Sequence, residues 1–269
     1  MNFYATLESA KRAARAVDSS RDTLWLEKLD AASRAIDLFC GRHFFTVEGV
    51  RYFDGACRFE VWIDDFLSIS ALGMDTERDG TFDGESWVEG QDWISRPYNA
   101  WPKIGIEMHV AGRYGMVSGR RYIKATGIWG YGDGQGVSPW RSVALTGTVA
   151  DDSATTLTLS GEGTIETGAT IKIEDEQLFI ESMAEGTATV VRGVNGTTAA
   201  AHTDAAISTA LYPAVVIRAC ATLAVSMVTR DGKAAYKSER IGDYGYTFSD
   251  FQEDQKFLGR ALGGLVRPV

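Results

Sequence analysis

The stretch YPAVVIRACATLAVSMVTRDGKAAYKSERIGDYGYTF, from Tyr212 to Phe248, decides how the chain is read. Pro213 suits a first helical position, because its fixed φ fits and the N–H it lacks would be unpaired there anyway. Val216, Ala219, Cys220, Leu223 and Met227 then recur at three- and four-residue steps, and Asp231-Gly232 supplies a stop. The spacing predicts a helix from Pro213 to Arg230, about 27 Å long at about 1.5 Å per residue. Past it the helical period vanishes. Tyr244, Tyr246 and Phe248 alternate in a glycine-containing segment, which predicts an extended arm with those three residues on one side.

Beyond the arm, Ser249 or Asp250 can cap a last helix, Glu253 being the capping-box partner of Asp250. Phe251, Phe257, Leu258, Ala261 and Leu262 give it apolar contacts before Gly263-Gly264 ends it. A helix of roughly a dozen residues is marginal unless a surface is supplied. The expectation is a tail that hangs on the arm and orders on a neighbouring subunit or partner; the alternative is that it folds back on its own domain.

Upstream, Leu7, Ala10, Ala14 and Val17 mark a short amphipathic helix with Lys11, Arg12 and Arg15 off its apolar side. Ser19, Ser20 and Asp22 offer N-caps for a second helix, in which Trp25, Leu29, Ala32, Ile36 and Phe39 recur at helical steps until Gly41. This helix and the Pro213 helix are expected to pair through Ala31, Ala32, Ala35, Ala219 and Ala221. The pattern then changes to period two. Strands are predicted over residues 44–53, 58–63, 64–72, 104–110 and 121–129, with a polar hairpin tip at Asp75–Gly84 and a two-proline loop at Arg96–Pro102.

The composition is globular: 269 residues, 45% hydrophobic, 11% aromatic and 23% charged. No apolar run reaches the roughly 18 residues of a membrane helix and the N-terminus lacks a signal-peptide core, so no membrane association and a cytoplasmic site of synthesis are expected. Cys40, Cys57 and Cys220, odd in number and widely spaced, fit reduced thiols. A net charge of −9 argues against general nucleic-acid binding, which needs clustered Lys and Arg. Nearly all of that charge lies between Ser142 and Tyr212, where ten acids, among them Glu174, Asp175 and Glu176, face only Lys172 and Arg192. Composition thus marks a second unit. Within it residues 143–149, 155–159, 170–173, 176–181 and 187–192 alternate or are β-rich, predicting an all-β module of about five strands, barrel or sandwich-like, over 142–211.

The landmarks AASRAIDLFCGRHFF, RYFDG, an acidic glycine hairpin, RPYNAWP, IKATGIWGYGDG and SERIGDYGYTF occur in that order over about residues 20–140 and 212–249. Together they resemble the head–tail connector (adaptor) proteins of long-tailed bacteriophages. The resemblance implies an α+β fold, with a helical-bundle core and a small β-structured portion over 1–141 and 212–269, into which the module at 142–211 is inserted. The segments TGTVADDSATTLTLSG and VVRGVNGTTAAAH resemble a β-module of other phage structural proteins. What the resemblance further implies is a virion neck protein of a phage or prophage, assembled as a ring, twelvefold by that likeness. It would bind the portal on one side and the stopper or tail-completion protein on the other, with double-stranded DNA passing through unbound. The assembly candidates are then Tyr244, Tyr246, Phe248, Phe251, Phe257, Leu258 and Leu262, and Glu174, Asp175 and Glu176 are candidates for a solvated acidic surface or lumen wall. A binding module, whose β-insert recognises a glycan or another virion protein, is the alternative.

Catalytic chemistry finds no constellation to rest on. His43, His109 and His202 fall in three separate segments without ligand spacing, so no metal is expected there. Asp75, Glu77, Asp79 and Gly80 match the start of a calcium loop, but Ser86 stands where the bidentate Glu belongs, and a turn is the better reading. Gly130–Gly136 lacks the Lys-Ser/Thr of a phosphate loop and reads as a connection; Asn195-Gly-Thr197 reads as a turn. No nucleophile-elbow, zinc-protease or Walker pattern occurs, so neither enzyme activity nor a cofactor is expected.

Overall fold

The period-two pattern after Gly41 condenses into one antiparallel sheet. In a computed structural model, which describes residues 2–56, 58–82, 87–109, 118–231, 238–241, 244–247 and 251–267, its strands are β1 (Val47–Gly55), β2 (Glu60–Met74), β3 (Trp93–Arg96), β4 (Lys103–Met108) and β5 (Gly119–Trp129). Their order is β1-β5-β2-β4-β3. The two segments expected over 58–72 are one strand, β2, whose first part pairs with β4 and whose second part pairs with β5 across two register breaks. Phe66, Trp93, Ile106, Met108, Ile123 and Trp129 form the heart of its core. Trp129 donates its indole N–H to the Gly49 carbonyl at 2.9 Å, so the ring's one polar atom is matched inside that core.

Gly130 ends this sheet for a steric reason. Its φ is +127°, and a Cβ there would sit 2.2 Å from the Phe45 carbonyl oxygen. Only glycine permits both.

The acidic segment closes on itself. Strands β6 (Trp140–Val149), β7 (Thr156–Gly161), β8 (Thr170–Ile173), β9 (Glu176–Ala184), β10 (Thr187–Val191) and β11 (His202–Ala210) form a closed barrel in the order β10-β7-β6-β11-β8-β9. Closure removes the sheet edges, and a barrel of this size is filled by its own side chains. Leu145, Leu157, Ile171, Leu178, Val190 and Ile207 do so here. Trp140 pairs with Ala210, so the chain enters and leaves the barrel side by side.

Helices α1 (Leu7–Ala14), α2 (Asp22–Cys40), α3 (Ala214–Asp231) and α4 (Phe251–Leu262) complete the described elements, with a short ribbon of β12 (Ser238–Ile241) and β13 (Tyr244–Thr247) between α3 and α4. The Thr6 hydroxyl caps α1 by accepting the Ser9 N–H at 3.2 Å, and Gly41 ends α2 in the left-handed region at φ +63°. In α2 and α3 the buried residues include Leu29, Ala32, Ile36, Ala219, Cys220 and Leu223. Among the small residues expected at their pairing, Ala32, Ala219 and Ala221 are buried, whereas Ala31 is exposed. The Cys220 thiol lies 3.4 Å from the Ser33 hydroxyl, and burial pushes both Cys40 and Cys220 up to about 11. Cys57 is outside the described residues.

This architecture corrects the expected fold class. The described structure is mostly β, a closed six-stranded barrel and a separate five-stranded sheet with four helices, not a helical bundle carrying a little β-structure. Helical periodicity is the louder signal per residue, yet the strands between Val47 and Trp129 bury a large aromatic core of their own. The barrel also has six strands where five were expected. By contacts the chain forms two compact units: one of Met1–Arg42, Trp140–Val194 and Thr198–Val269, the other of His43–Pro139 with Asn195–Thr197. The helices therefore share a unit with the barrel, where the sequence reading grouped them with residues 43–139.

Candidate functional site

The chain from α3 onward builds the candidate assembly element. In the ribbon, Ser238 pairs with Thr247, Glu239 with Tyr246, Arg240 with Gly245 and Ile241 with Tyr244. Tyr244 and Tyr246 are thus on β13, in a two-stranded sheet that pairs only with itself among the described residues. Each outer edge of such a ribbon carries backbone N–H and C=O groups with no ladder partner. Phe248 lies outside the described residues, and Phe251 is the first residue of α4.

Helix α4 does not hang free, which corrects the expected tail. Leu258 and Leu262 are buried within their own chain, and Phe257 is half-buried. Asp254, itself buried, accepts a charge-assisted hydrogen bond from Arg230 in the last turn of α3 and faces the Ser226 hydroxyl at 3.4 Å. The Arg267 N–H donates to the Cys40 carbonyl at 2.8 Å, so the segment after α4 is tied to the end of α2. A cleft of about 550 Å³ remains between α3 and α4, bordered by Thr222, Ser226, Phe257 and Arg260.

The acidic candidates separate into two kinds. Glu174 and Asp175 are exposed at the β8–β9 turn, with Glu174 at φ +51°. Glu176 is 1% exposed and is no surface residue, which corrects its assignment to an acidic wall. Its carboxylate accepts from Arg192, from the Gly193 N–H at 2.9 Å and from the Ala200 N–H at 3.1 Å, and lies 2.8 Å from His202 Nε2. Burial alone would raise its pKa; Arg192, His202 and the two amides outweigh burial and hold it down at about 2. His202, buried as well, has its Nδ1 2.9 Å from Glu174.

One surface of the five-stranded sheet escaped the sequence reading. Trp62 is 59% exposed and Phe59 74%, and the Trp62 ring lies over Gly105, where a Cβ would come within 3.2 Å of it. Beside them Arg96 stacks on Tyr98 at 4.2 Å, while Glu107 binds Arg96 at 3.2 Å and accepts the Tyr98 hydroxyl at 2.9 Å. Buried Lys103 donates to the Pro97 and Tyr98 carbonyls at 2.6 and 2.8 Å, which fixes the two-proline loop. A signal was present: Trp62 alternates in phase with Glu60 and Asp64, so a large ring shares their outward face.

The remaining motifs are engaged locally. Asp75 accepts the N–H groups of Asp79 and Gly80, each at 3.1 Å, and Asp79 accepts that of Thr81 at 2.8 Å, so these carboxylates cap their own turn. Residues 83–86 of that loop are not described. The N–H groups of Gly130, Tyr131 and Gly132 donate to the carbonyls of Asp65, His43 and Phe44, which leaves them unavailable to a phosphate. His43 Nδ1 lies 2.9 Å from the Phe45 carbonyl. No group of three or more potential metal ligands occurs among the described residues, and no described helix is long and apolar enough to cross a membrane.

The sequence matches no protein-family model and no curated protein.

Proposed function

We propose that the protein is a head–tail connector of a tailed phage or prophage, a structural subunit that forms a ring, twelvefold by resemblance, between the portal and the stopper or tail. The observation that carries this reading is the β12–β13 ribbon. It leaves α3, pairs only with itself among the described residues, and is followed by a helix anchored back on α3 through Asp254 and Arg230. A ribbon whose two strands pair only with each other among the described residues is suited to adding strands from another chain. The ordered landmarks from residue 20 to 249 support the same reading. Glu174 and Asp175, with the other exposed acids of the barrel, supply negative charge that would keep DNA phosphates from adhering.

The test is assembly with and without the ribbon. Co-expression with a portal protein from the same genome is expected to give rings visible by electron microscopy, and replacing residues 238–247 by a Gly/Ser linker is expected to leave a folded subunit that no longer assembles. Rings of normal size from the ribbon-less chain would count against this reading. The alternative of a glycan-binding β-insert lacks a platform: none of the exposed large hydrophobic residues lies in the barrel strands, and Phe179 is covered by Phe3 at 4.9 Å.

A further inference from the structure

The imidazole of His202, at the start of β11, is enclosed between two carboxylates. Its side chain is 1% exposed, its Nδ1 lies 2.9 Å from Glu174 Oε2 and its Nε2 lies 2.8 Å from Glu176 Oε2. Carboxylate oxygens only accept hydrogen bonds, and a neutral imidazole has one nitrogen that donates and one that accepts. Both contacts are hydrogen bonds only when the ring carries a proton on each nitrogen, as imidazolium.

The two carboxylates are held differently. Glu176 is buried and fastened from other sides by Arg192 and by the N–H groups of Gly193 and Ala200; burial would raise its pKa, but its partners hold it at about 2. It stays a carboxylate and stays in place. Glu174 has a side chain 64% exposed, and its described contact is the one with His202. It is also the first of the two residues that join β8 to β9, and its φ of +51° is a left-handed conformation that costs a residue with a Cβ. The bond to the ring helps hold it there.

The charged groups that face the ring come from three places: Glu174 from the β8–β9 turn, Glu176 from β9 and, behind Glu176, Arg192 after β10. Opposite His202, β6 offers the apolar Val149, and on β11 itself Asp204 turns to the Thr146 hydroxyl. Lys172 of β8 pairs with Ser208, further along β11. With the ring charged, two carboxylates are balanced by His202 and Arg192. Without its proton, one negative charge is left over beside a buried ring, and a lone pair faces a carboxylate.

We propose that His202 is a proton-operated latch of the barrel: charged, it ties the β8–β9 turn to the start of β11, and on losing its Nδ1 proton to water it releases Glu174, which swings out and frees the turn. The Nε2 proton remains, because Glu176 is fixed by its other partners and goes on accepting it. The stability this bond adds is present while the ring is charged and is lost as rising pH removes the proton. The latch is independent of the connector reading, since it involves neither the ribbon nor α4.

An NMR titration of the full chain between about pH 5 and pH 9, a range that spans ordinary histidine behaviour, tests this, with the His202 ring nitrogens observed directly. The expected result is a ring protonated on both nitrogens at the acid end and on Nε2 alone at the alkaline end. The Glu174 and Asp175 amide signals are expected to shift with the same midpoint, and Overhauser contacts from the ring to Glu174 to disappear while those to Glu176 persist. Glu174→Gln supplies an amide that accepts from the charged ring and donates to the neutral one, so in this variant the turn signals are expected to stay still while the ring titrates. Glu174 is exposed, so the variant is expected to fold. A ring in one protonation state throughout, turn signals that do not follow the ring, or the same turn transition in Glu174→Gln would each overturn the proposal, leaving His202 a fixed member of the barrel.

Discussion

Glu176 and Arg192 meet at two points, Oε1 to Nε and Oε2 to Nη2, each 2.7 Å long. Their side chains are 1% and 7% exposed, so this is a buried ion pair, which stabilises only if the rest of its hydrogen-bonding capacity is met. It is met. Arg192 gives its other protons to the carbonyls of Asp151, Ala154 and Ala200, and two backbone N–H groups complete Glu176. The pair thereby ties Asp151, Ala154, Gly193 and Ala200 to the start of β9.

Glu176→Gln is therefore expected to destabilise the protein by about 3 kcal/mol, since it leaves Arg192 buried without its counter-charge. Glu174→Gln and Asp175→Asn, at exposed positions, are expected to stay within about 0.5 kcal/mol. The pH dependence has a definite sign. A carboxylate held at about 2 contributes stability that is complete above its unfolded pKa and is lost as pH falls towards 2. Urea midpoints of the wild type between pH 5 and 2 are expected to fall more steeply than those of Glu176→Gln; parallel curves would contradict the buried pair.

Asp37 acts in the opposite direction. Burial raises its pKa to about 6, against the lowering effects of the Tyr4 hydroxyl, which donates to it, and of Arg34 at 3.0 Å. A raised carboxyl binds more protons folded than unfolded, so its contribution to stability falls as pH rises from about 4, its unfolded value, towards 6. Asp37→Asn keeps the shape without the charge. It is expected to flatten the dependence over this window and to raise the thermal midpoint more at pH 7.5 than at pH 4, which calorimetry at the two pH values would check.

These two carboxyls show what was legible in the sequence and what was not. All of Glu176 to Ile180 is buried, and Leu178 and Ile180 face the barrel core, so period two places Glu176 on the same row as these two. The reading failed because three consecutive acids look like a solvated turn, and the counter-charge is 16 residues away. Arg192 was the cue, being one of only two bases in the acidic segment. Strand β11 was missed because His202–Ala210 is mostly Ala, Thr and Ser, with Ile207 its only large core residue, and because its pairing with β6 breaks register twice. Helices α2 and α3 were read closely in extent, since apolar spacing is local, although the N-cap of α2 is Arg21 without a side-chain cap bond rather than Ser19, Ser20 or Asp22. The balance between helix and strand was misjudged, because the sheet's core is assembled from segments tens of residues apart.

Gly130 offers a test of the sheet unit alone. A Cβ at this position would meet backbone, the Phe45 carbonyl oxygen at 2.2 Å, and the φ of +127° is unfavourable to any side chain. Gly130→Ala is expected to cost about 2 kcal/mol or more, because neither the clash nor the backbone strain can be relieved by turning a side chain. Gly136→Ala, where no atom lies within 4 Å of the added Cβ, is the control expected to have little effect. Denaturant unfolding followed by tryptophan fluorescence reports chiefly on this unit, since five of the seven tryptophans lie in it, Trp93 and Trp129 in its core, with Trp25 and Trp140 in the other unit.

The last prediction concerns the tail helix. Leu258 and Leu262 are buried against their own chain, and the Arg230–Asp254 pair joins α4 to α3. Leu258→Ala and Leu262→Ala are each expected to destabilise the isolated subunit by about 2–5 kcal/mol, the usual cost of emptying a buried leucine site. Truncation after Phe248 removes both together with the Asp254 contact, and is expected to lower the thermal midpoint of the monomer as well as its assembly. Had the helix ordered only on a neighbour, the truncated monomer would melt as the full chain does. A comparison of the two melting curves, made on monomer isolated by size exclusion so that assembly cannot contribute, separates the outcomes. An unchanged midpoint with lost ring formation would move α4 from the subunit's own fold to the interface; a lowered midpoint keeps it as the anchor that holds the ribbon's second root in place.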